Sequence, residues 1–241
     1  MTQKSAAGGG VQQALPFATS WGGARKGAGR KLVGARRSVA HRARPEHRRA
    51  HPVHVTLRAA FRPLRSEHVF PTVCLAIRDA TRREPREFRV VHFSVQWDHV
   101  HLIVEASDKQ ALCAGVRSVT IRIARAVNAL VSRRGRFWAD RWHGRELATP
   151  RQVRNALVYV FANFRKHTRS PLAPGVDAFS SAARFDGWRG FVAGSELPRA
   201  GPPVHDAMDR WVTVARAETW LIRVGWRRHG LLRVAEAPSV A

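Results

Sequence analysis

Two alternating apolar stretches separated by three residues constrain this chain more than any other feature in it. Val91, Phe93 and Val95 alternate with their neighbours, and after Gln96-Trp97-Asp98 the alternation resumes in His99-Val100-His101-Leu102-Ile103-Val104 and runs on to Ala106. Successive side chains of a strand point to opposite faces, and so short a connection joins antiparallel neighbours. The pattern predicts a β-hairpin whose second strand packs Val100, Leu102 and Val104 on one side and sets His99 and His101 together on the other. Two imidazoles held two residues apart on a rigid strand are half of a divalent-metal site. Surface histidines, or strand histidines satisfied by hydrogen bonds, are the ordinary alternative, so the pair needs a partner elsewhere in the chain.

The flanking segments supply more elements. Val53, Val55 and Leu57 in His51-Pro52-Val53-His54-Val55-Thr56-Leu57 alternate as a half-buried strand. From Glu67 to about Arg83, Val69, Val73, Ile77 and Ala80 recur at helical spacing, with Pro71 early enough for a first turn. Ser107 is the expected N-cap of a long helix to about Arg133, with Leu112, Val116, Val119, Ile123, Val127 and Leu130 as its buried stripe. Arg117, Arg122 and Arg125 fall largely off that stripe and give the helix a basic surface. Phe137-Trp138-Ala139-Asp140-Arg141-Trp142 suits a further short strand or extended segment, its aromatics packing rather than stacking on bases.

The best-marked helix start is Thr149-Pro150-Arg151-Gln152, which joins an N-cap threonine, a first-turn proline and a capping-box glutamine. On that helix Val153, Leu157, Val160 and Phe164 form the apolar face. Asn155, Tyr159 and Asn163 fall at i, i+4 and i+8 away from it, with Arg165, Lys166 and His167 following. Tyr159 is the only tyrosine in the chain. Its phenolic oxygen is a candidate nucleophile for phosphoryl transfer once a metal site lies near it, and an ordinary exposed tyrosine otherwise.

At 241 residues the chain accommodates one domain with extensions. Residues 1–50, including Gly22-Gly23-Ala24-Arg25-Lys26-Gly27-Ala28-Gly29-Arg30-Lys31, have no sustained hydrophobic period and suit a flexible basic arm. Residues 51–170 form the domain proper, and 171–241 an extension on or beside it, with helical pattern returning from about Ala207 to Arg223. In that extension Phe185, Trp188, Trp211, Trp220 and Trp226 are expected as packing anchors. A net charge of +25, nearly all arginine, makes nucleic acid the favoured partner over anionic membrane. Cys74 and Cys113 lie in apolar helical segments and are expected to be buried, reduced thiols. With no run of about 18 apolar residues and no signal-peptide pattern at the start, the chain is expected to be intracellular and without membrane association.

The order strand, helix, strand, His-Val-His strand, long basic helix and tyrosine-bearing helix resembles the HUH single-tyrosine transposases. Within them it is most similar to the REP-associated tyrosine transposases. The likeness covers about residues 51–170 and rests on Asp98-His99-Val100-His101-Leu102-Ile103-Val104 and Tyr159-Val160-Phe161-Ala162-Asn163. It implies an α+β fold, a ferredoxin-like or RRM-like antiparallel sheet with helices on one face, flanked by the basic arm and a mainly helical C-terminal extension. It further implies that His99, His101 and Asn163 hold a divalent metal, Mg or Mn, and that Tyr159 is the nucleophile. The activity implied is cleavage and rejoining of single-stranded, hairpin-forming DNA through a 5′-phosphotyrosine, with no nucleotide cofactor, in the bacterial cytoplasm at the nucleoid. Arg117, Arg122, Arg125, Arg165 and Lys166 are the candidate DNA contacts.

Members of the group often carry an Asn-Pro pair after the tyrosine helix turn, whereas here Phe164 follows Asn163. Imidazole ligands also suit ions softer than Mg, which favours Mn. Two other readings stay open: a non-cleaving DNA- or RNA-binding protein, and a metal phosphodiesterase that uses water. Both monomer and homodimer are compatible with the pattern.

Overall fold

A computed structural model of the chain describes residues 44–166, 175–190, 199–200 and 211–237. The expected basic arm to residue 43, His167, the proline-rich stretches around 171–174 and 202–203, and the helical pattern at 207–210 lie outside them. The elements are β1 (Val53–Arg58), α1 (Phe70–Arg83), β2 (Phe88–Val95), β3 (His99–Ala106), α2 (Lys109–Leu130), β4 (His143–Glu146) and α3 (Pro150–Ala162). After them come the two-residue strands β5 (Val176–Asp177) and β6 (Arg199–Ala200) and one short helix, α4 (Trp220–Arg223). The fold is α+β: an antiparallel sheet in the order β2-β3-β1-β4, with helices packed on it.

The predicted hairpin is present, and β3 covers the residues expected of it. Val100, Leu102 and Val104 join Val55 and Leu57 of β1 in a core that α1 and α2 close with Val73, Ile77, Val116, Val119, Ile123 and Val127. Helices α1 and α2 thus cover one face, as expected. Helix α3 lies on the other, where Val153, Leu157, Val160 and Phe161 pack with Ile103 of β3 and with Phe185, Trp188, Ile222 and Trp226 of the C-terminal extension. Both faces of β3 are therefore buried.

Several boundaries differ from expectation for local reasons. The N-cap of α2 is Asp108 and not Ser107; its carboxylate accepts from Ala111 N–H at 2.8 Å, a stronger acceptor for an orphan helix donor than a hydroxyl. The helix ends at Leu130, which is exposed and not part of the stripe. Around 137–142 only Trp138 makes a bridge, to Ala59, and regular pairing begins later, at β4. Phe137 and Trp138 pack, as expected. Cys74 is buried but Cys113 only partly so, and both are free thiols. Among the described residues no helix is long and apolar enough to cross a membrane.

The capping box of α3 forms as its sequence foretells. Gln152 N–H donates to Thr149 Oγ1 at 3.2 Å, while Gln152 Oε1 accepts from the Thr149 N–H at 3.2 Å. On α2, Gly115 permits a close approach to β2: a Cβ there would stand 2.0 Å from a ring carbon of Phe88.

The extension is mainly non-helical where described, and it works as an edge strip. Strand β2 is the sheet's edge, yet every residue of it is buried. Val95 N–H donates to Phe179 C=O at 2.8 Å, Ser181 N–H to Phe93 C=O at 2.9 Å, and Ala215 N–H to Val90 C=O at 3.0 Å. Backbone groups that would otherwise template aggregation are thereby occupied. Two buried carboxylates fasten the strip. Asp177 takes a bidentate pair of bonds from Arg65, at 2.6 and 3.1 Å, and accepts from Ser94 Oγ at 3.1 Å. Glu105 on β3 accepts from the Glu218 and Thr219 N–H groups at 2.9 and 2.8 Å and pairs with Arg89 at 3.0 Å.

Asp177→Ala would leave the largely buried Arg65 guanidinium without its bidentate partner, and urea denaturation should register a loss of about 3–5 kcal/mol. His92, on β2, packs edge-on against Phe161 and Phe185 at 5.1 and 5.3 Å, and burial pushes its imidazole down from 6.5 to about 3. Between those values the unfolded chain binds a proton that the folded chain refuses, so the stability carried by neutral His92 is complete above pH 6.5 and falls as pH drops toward 3. His92→Leu should reduce the slope of stability against pH on that acid limb by up to about 1.4 kcal/mol per pH unit.

Candidate functional site

The face of β3 that carries the histidines receives side chains from three other elements. Strand β1 pairs Thr56 with His101 and Arg58 with His99, so β1's own alternation sends His54, Thr56 and Arg58 toward the imidazoles. Strand β2 pairs Ser94 with His101. Helix α3 crosses this face and brings Tyr159 and, at its C-terminal boundary, Asn163.

Asn163 is the meeting point. Its Nδ2 lies 3.2 Å from His101 Nε2 and 3.4 Å from His99 Nε2, and the residue is 1% exposed. The two imidazole rings stand edge to face at 4.7 Å. Tyr159, one helical turn before Asn163, packs edge-on against His101 at 5.1 Å and against His54 at 5.6 Å. Burial raises the phenol above its ordinary value. Of the sequence-expected residues, the structure therefore brings His99, His101, Asn163 and Tyr159 into one cluster.

Hydrogen bonds on the far side of each ring determine what the Nε2 atoms present. His99 Nδ1 donates to Asp98 Oδ1 at 2.7 Å. Burial works against the charge of Asp98, but the bond from His99 and the nearby Arg58 and Arg62 guanidinium groups outweigh it and hold the carboxyl below its ordinary value. His101 Nδ1 has two acceptors at 3.2 Å, Thr56 Oγ1 and His54 Nε2. His54 can accept because burial, with the charges of His143 and Arg145, lowers it to about 4 and keeps it neutral. With both Nδ1 atoms committed to outer partners, both Nε2 lone pairs turn inward to the Asn163 amide.

This donor set fits a divalent cation in a specific way. Two imidazole lone pairs and one amide oxygen, presented after a half-turn of the Asn163 carboxamide, are three protein ligands of the kind that leave further positions for water or substrate. Among the described residues no group of three or more His, Cys, Asp or Glu side chains is placed to hold a metal ion, so a site here depends on the amide.

The basic candidates of α2 are not gathered at the cluster. Arg117, Arg122 and Arg125 lie on α2, across the sheet, where with Arg83, Glu84 and Glu87 they line an open cleft of about 470 Å³. Arg165 donates to the Gly175 carbonyl at 3.0 Å and lies 5.3 Å from the Phe164 ring, and burial lowers its pKa. Lys166 closes the short 3-10 turn after α3, and its side chain lies outside the described residues.

Residues not singled out from sequence complete the site: His54, Thr56, Asp98, Arg58 and Arg62. The alternation of β1 already placed His54 and Thr56 opposite its apolar stripe; only the β1–β3 register shows that this face is the one shared with His101. Asp98 adjoins the histidine pair in sequence, and its role is visible only once its carboxylate is seen to bridge His99 and the two arginines.

No protein-family model matches the chain, and neither does any curated protein. Among solved structures the chain is similar to one described as a REP-associated tyrosine transposase bound to a REP hairpin. The superposition has a TM-score of 0.47 at 17% identity and covers 61% of this chain and 84% of that one. At these values the likeness assigns no activity.

Asp98→Ala removes the acceptor that fixes the Nδ1–H form of His99. Side-chain ¹⁵N NMR at neutral pH should show that ring in the Nδ1–H tautomer in the wild type and shifted toward Nε2–H in the variant; an unchanged ring would refute the orientation given to Asp98.

Proposed function

We propose that the chain is a transposase-type endonuclease that cleaves and rejoins single-stranded, hairpin-forming DNA through a covalent tyrosine intermediate. The observation that carries this reading is the convergence of the lone tyrosine, two inward-facing imidazole Nε2 atoms and a buried amide on one face of the sheet. The net charge of +25 supports an anionic polymer as substrate.

His99 Nε2, His101 Nε2 and Asn163 Oδ1 would hold the metal, Mg or Mn, which supplies Lewis-acid polarisation of the scissile phosphate and neutralises its developing charge. Asp98, Thr56 and His54 keep the two imidazoles oriented and their Nε2 atoms unprotonated. Tyr159 Oη attacks phosphorus in line and the bond from phosphorus to the 3′-oxygen breaks, the phenolic proton passing to solvent and the departing 3′-oxygen taking one up. The products are a 5′-phosphotyrosine on Tyr159 and a free 3′-hydroxyl. One phosphodiester has replaced another, so the same groups can run the step backward and rejoin strands. Burial keeps Tyr159 protonated at rest, and the phenolate forms only as the attack proceeds.

The high charge also favours a second reading, nucleic-acid binding without cleavage. One experiment separates the two. Incubated with hairpin-containing single-stranded DNA and Mn, wild type should give a protein–DNA adduct stable in denaturing gels. Tyr159→Phe, His99→Ala and His101→Ala should reduce it to background. No adduct with wild type, or an equal yield from Tyr159→Phe, would reject the proposal. Free 5′-phosphate ends without attached protein would instead indicate hydrolysis by water. Tight, salt-dependent binding that survives all three substitutions, with no adduct, is the result expected of a binder alone.

A further inference from the structure

Of the large apolar side chains among the described residues, Trp97 is the most exposed, at 54%. It occupies the turn between β2 and β3, two residues before His99. A solitary exposed apolar residue is ordinary on a protein surface. Three features set this one apart.

The turn that carries it is fixed at several points. Gln96 N–H donates to His99 C=O at 2.8 Å, Ala59 N–H to Asp98 C=O at 2.8 Å, and Leu64 N–H to Trp97 C=O at 3.0 Å. Gln96 itself is buried, with its Nε2 donating to Ser94 Oγ at 2.6 Å. Sequence and turn thus hold an indole out to solvent on a backbone that cannot easily fold it away. Second, two arginines flank the turn through its last residue, Asp98. Arg62 and Arg58 each meet Asp98 Oδ2 through Nη2, at 3.3 and 3.5 Å, and their side chains are 55% and 43% exposed. Third, the other oxygen of that carboxylate holds His99. An exposed aromatic face, two solvent-facing guanidinium groups and the imidazole pair therefore follow one another over a few residues.

We propose that Trp97 is a stacking platform for one unpaired nucleobase, with Arg58 and Arg62 contacting the adjoining phosphates, so that a single strand is led across the hairpin turn toward Tyr159. The proposal rests on the reading of the site as acting on single-stranded DNA, and it names a recognition element for that substrate. Stacking accepts any base, because every base has a π face, while a base inside a duplex is unavailable to the indole. Trp97 accordingly selects for single strands and not for sequence. A platform fixed before binding loses little conformational entropy when a base settles on it. Through Asp98, the same arginines are tied to the orientation of His99.

The test is binding of the full-length protein, without metal, to a fluorescein-labelled dT20 oligonucleotide and to a 20-base-pair duplex of mixed sequence at one fixed salt concentration, followed by anisotropy. Trp97→Ala should weaken dT20 binding about tenfold, the loss typical of removing one base–aromatic stack, and leave duplex binding within about twofold. Trp97→Phe should recover most of the lost affinity. The proposal is overturned if Trp97→Ala binds dT20 as wild type does, if single-strand and duplex binding fall together, or if phenylalanine restores nothing. Because the assay requires no cleavage, its failure leaves the adduct experiment on Tyr159 to stand by itself, and an absent adduct would remove the cleavage reading without touching the stacking result.

Discussion

Everything in this fold is arranged around a central strand that is buried on both faces while one of those faces is polar. On β3, Val100, Leu102 and Val104 present the sheet to α1 and α2 and need nothing but packing. His99, His101 and Glu105 face the other way; His101 and Glu105 are buried and His99 partly so, where an unsatisfied polar group is expensive. Each has been given specific partners: Asp98 for His99, Thr56 and His54 for His101, Arg89 and two backbone N–H groups for Glu105. The position of α3, the register of β1 and the path of the C-terminal extension all follow from satisfying that face.

The same requirement links architecture to chemistry. A helix that only had to cover the sheet could have been apolar throughout its contact surface. Helix α3 instead sets Val153, Leu157, Val160 and Phe161 against the apolar part of the face and brings Tyr159 and Asn163 over the imidazoles. The amide of Asn163 answers two lone pairs at once. Both imidazole Nε2 atoms are thereby directed at one point, the Asn163 amide.

How far the sequence discloses this depends on whether a feature is local. The capping box of Thr149 and Gln152, the hairpin, and the alternation of β3 are set by neighbours in the chain and were legible there. The choice of Asp108 over Ser107 as a cap is a one-residue competition between two good acceptors. Strand β4 carries little hydrophobic signal because its residues, His143–Glu146, are largely exposed. The partners of the imidazoles were harder to find: His54 and Thr56 reach His101 only through a register between strands 45 and 47 residues apart in sequence. The arginines of α2 illustrate the converse. Periodicity correctly places Arg117, Arg122 and Arg125 off the apolar stripe, but it cannot say which side of the sheet the stripe faces, and that side is the one opposite the tyrosine.

The covering of β2 by Phe179, Ser181 and Ala215 bears on the order in which the protein is made. During synthesis β2 leaves the ribosome early, while the groups that close its outer edge lie more than eighty residues beyond it in the chain. Through that interval the nascent chain carries an open sheet edge and a Glu105 that has Arg89 but not yet its two backbone N–H donors, the state in which strands pair wrongly. Phe179, Ser181 and Ala215 thus complete the edge of a sheet whose strands precede them, and a chain released before they emerge would carry the imidazole pair and Tyr159 on a sheet with one edge unsealed.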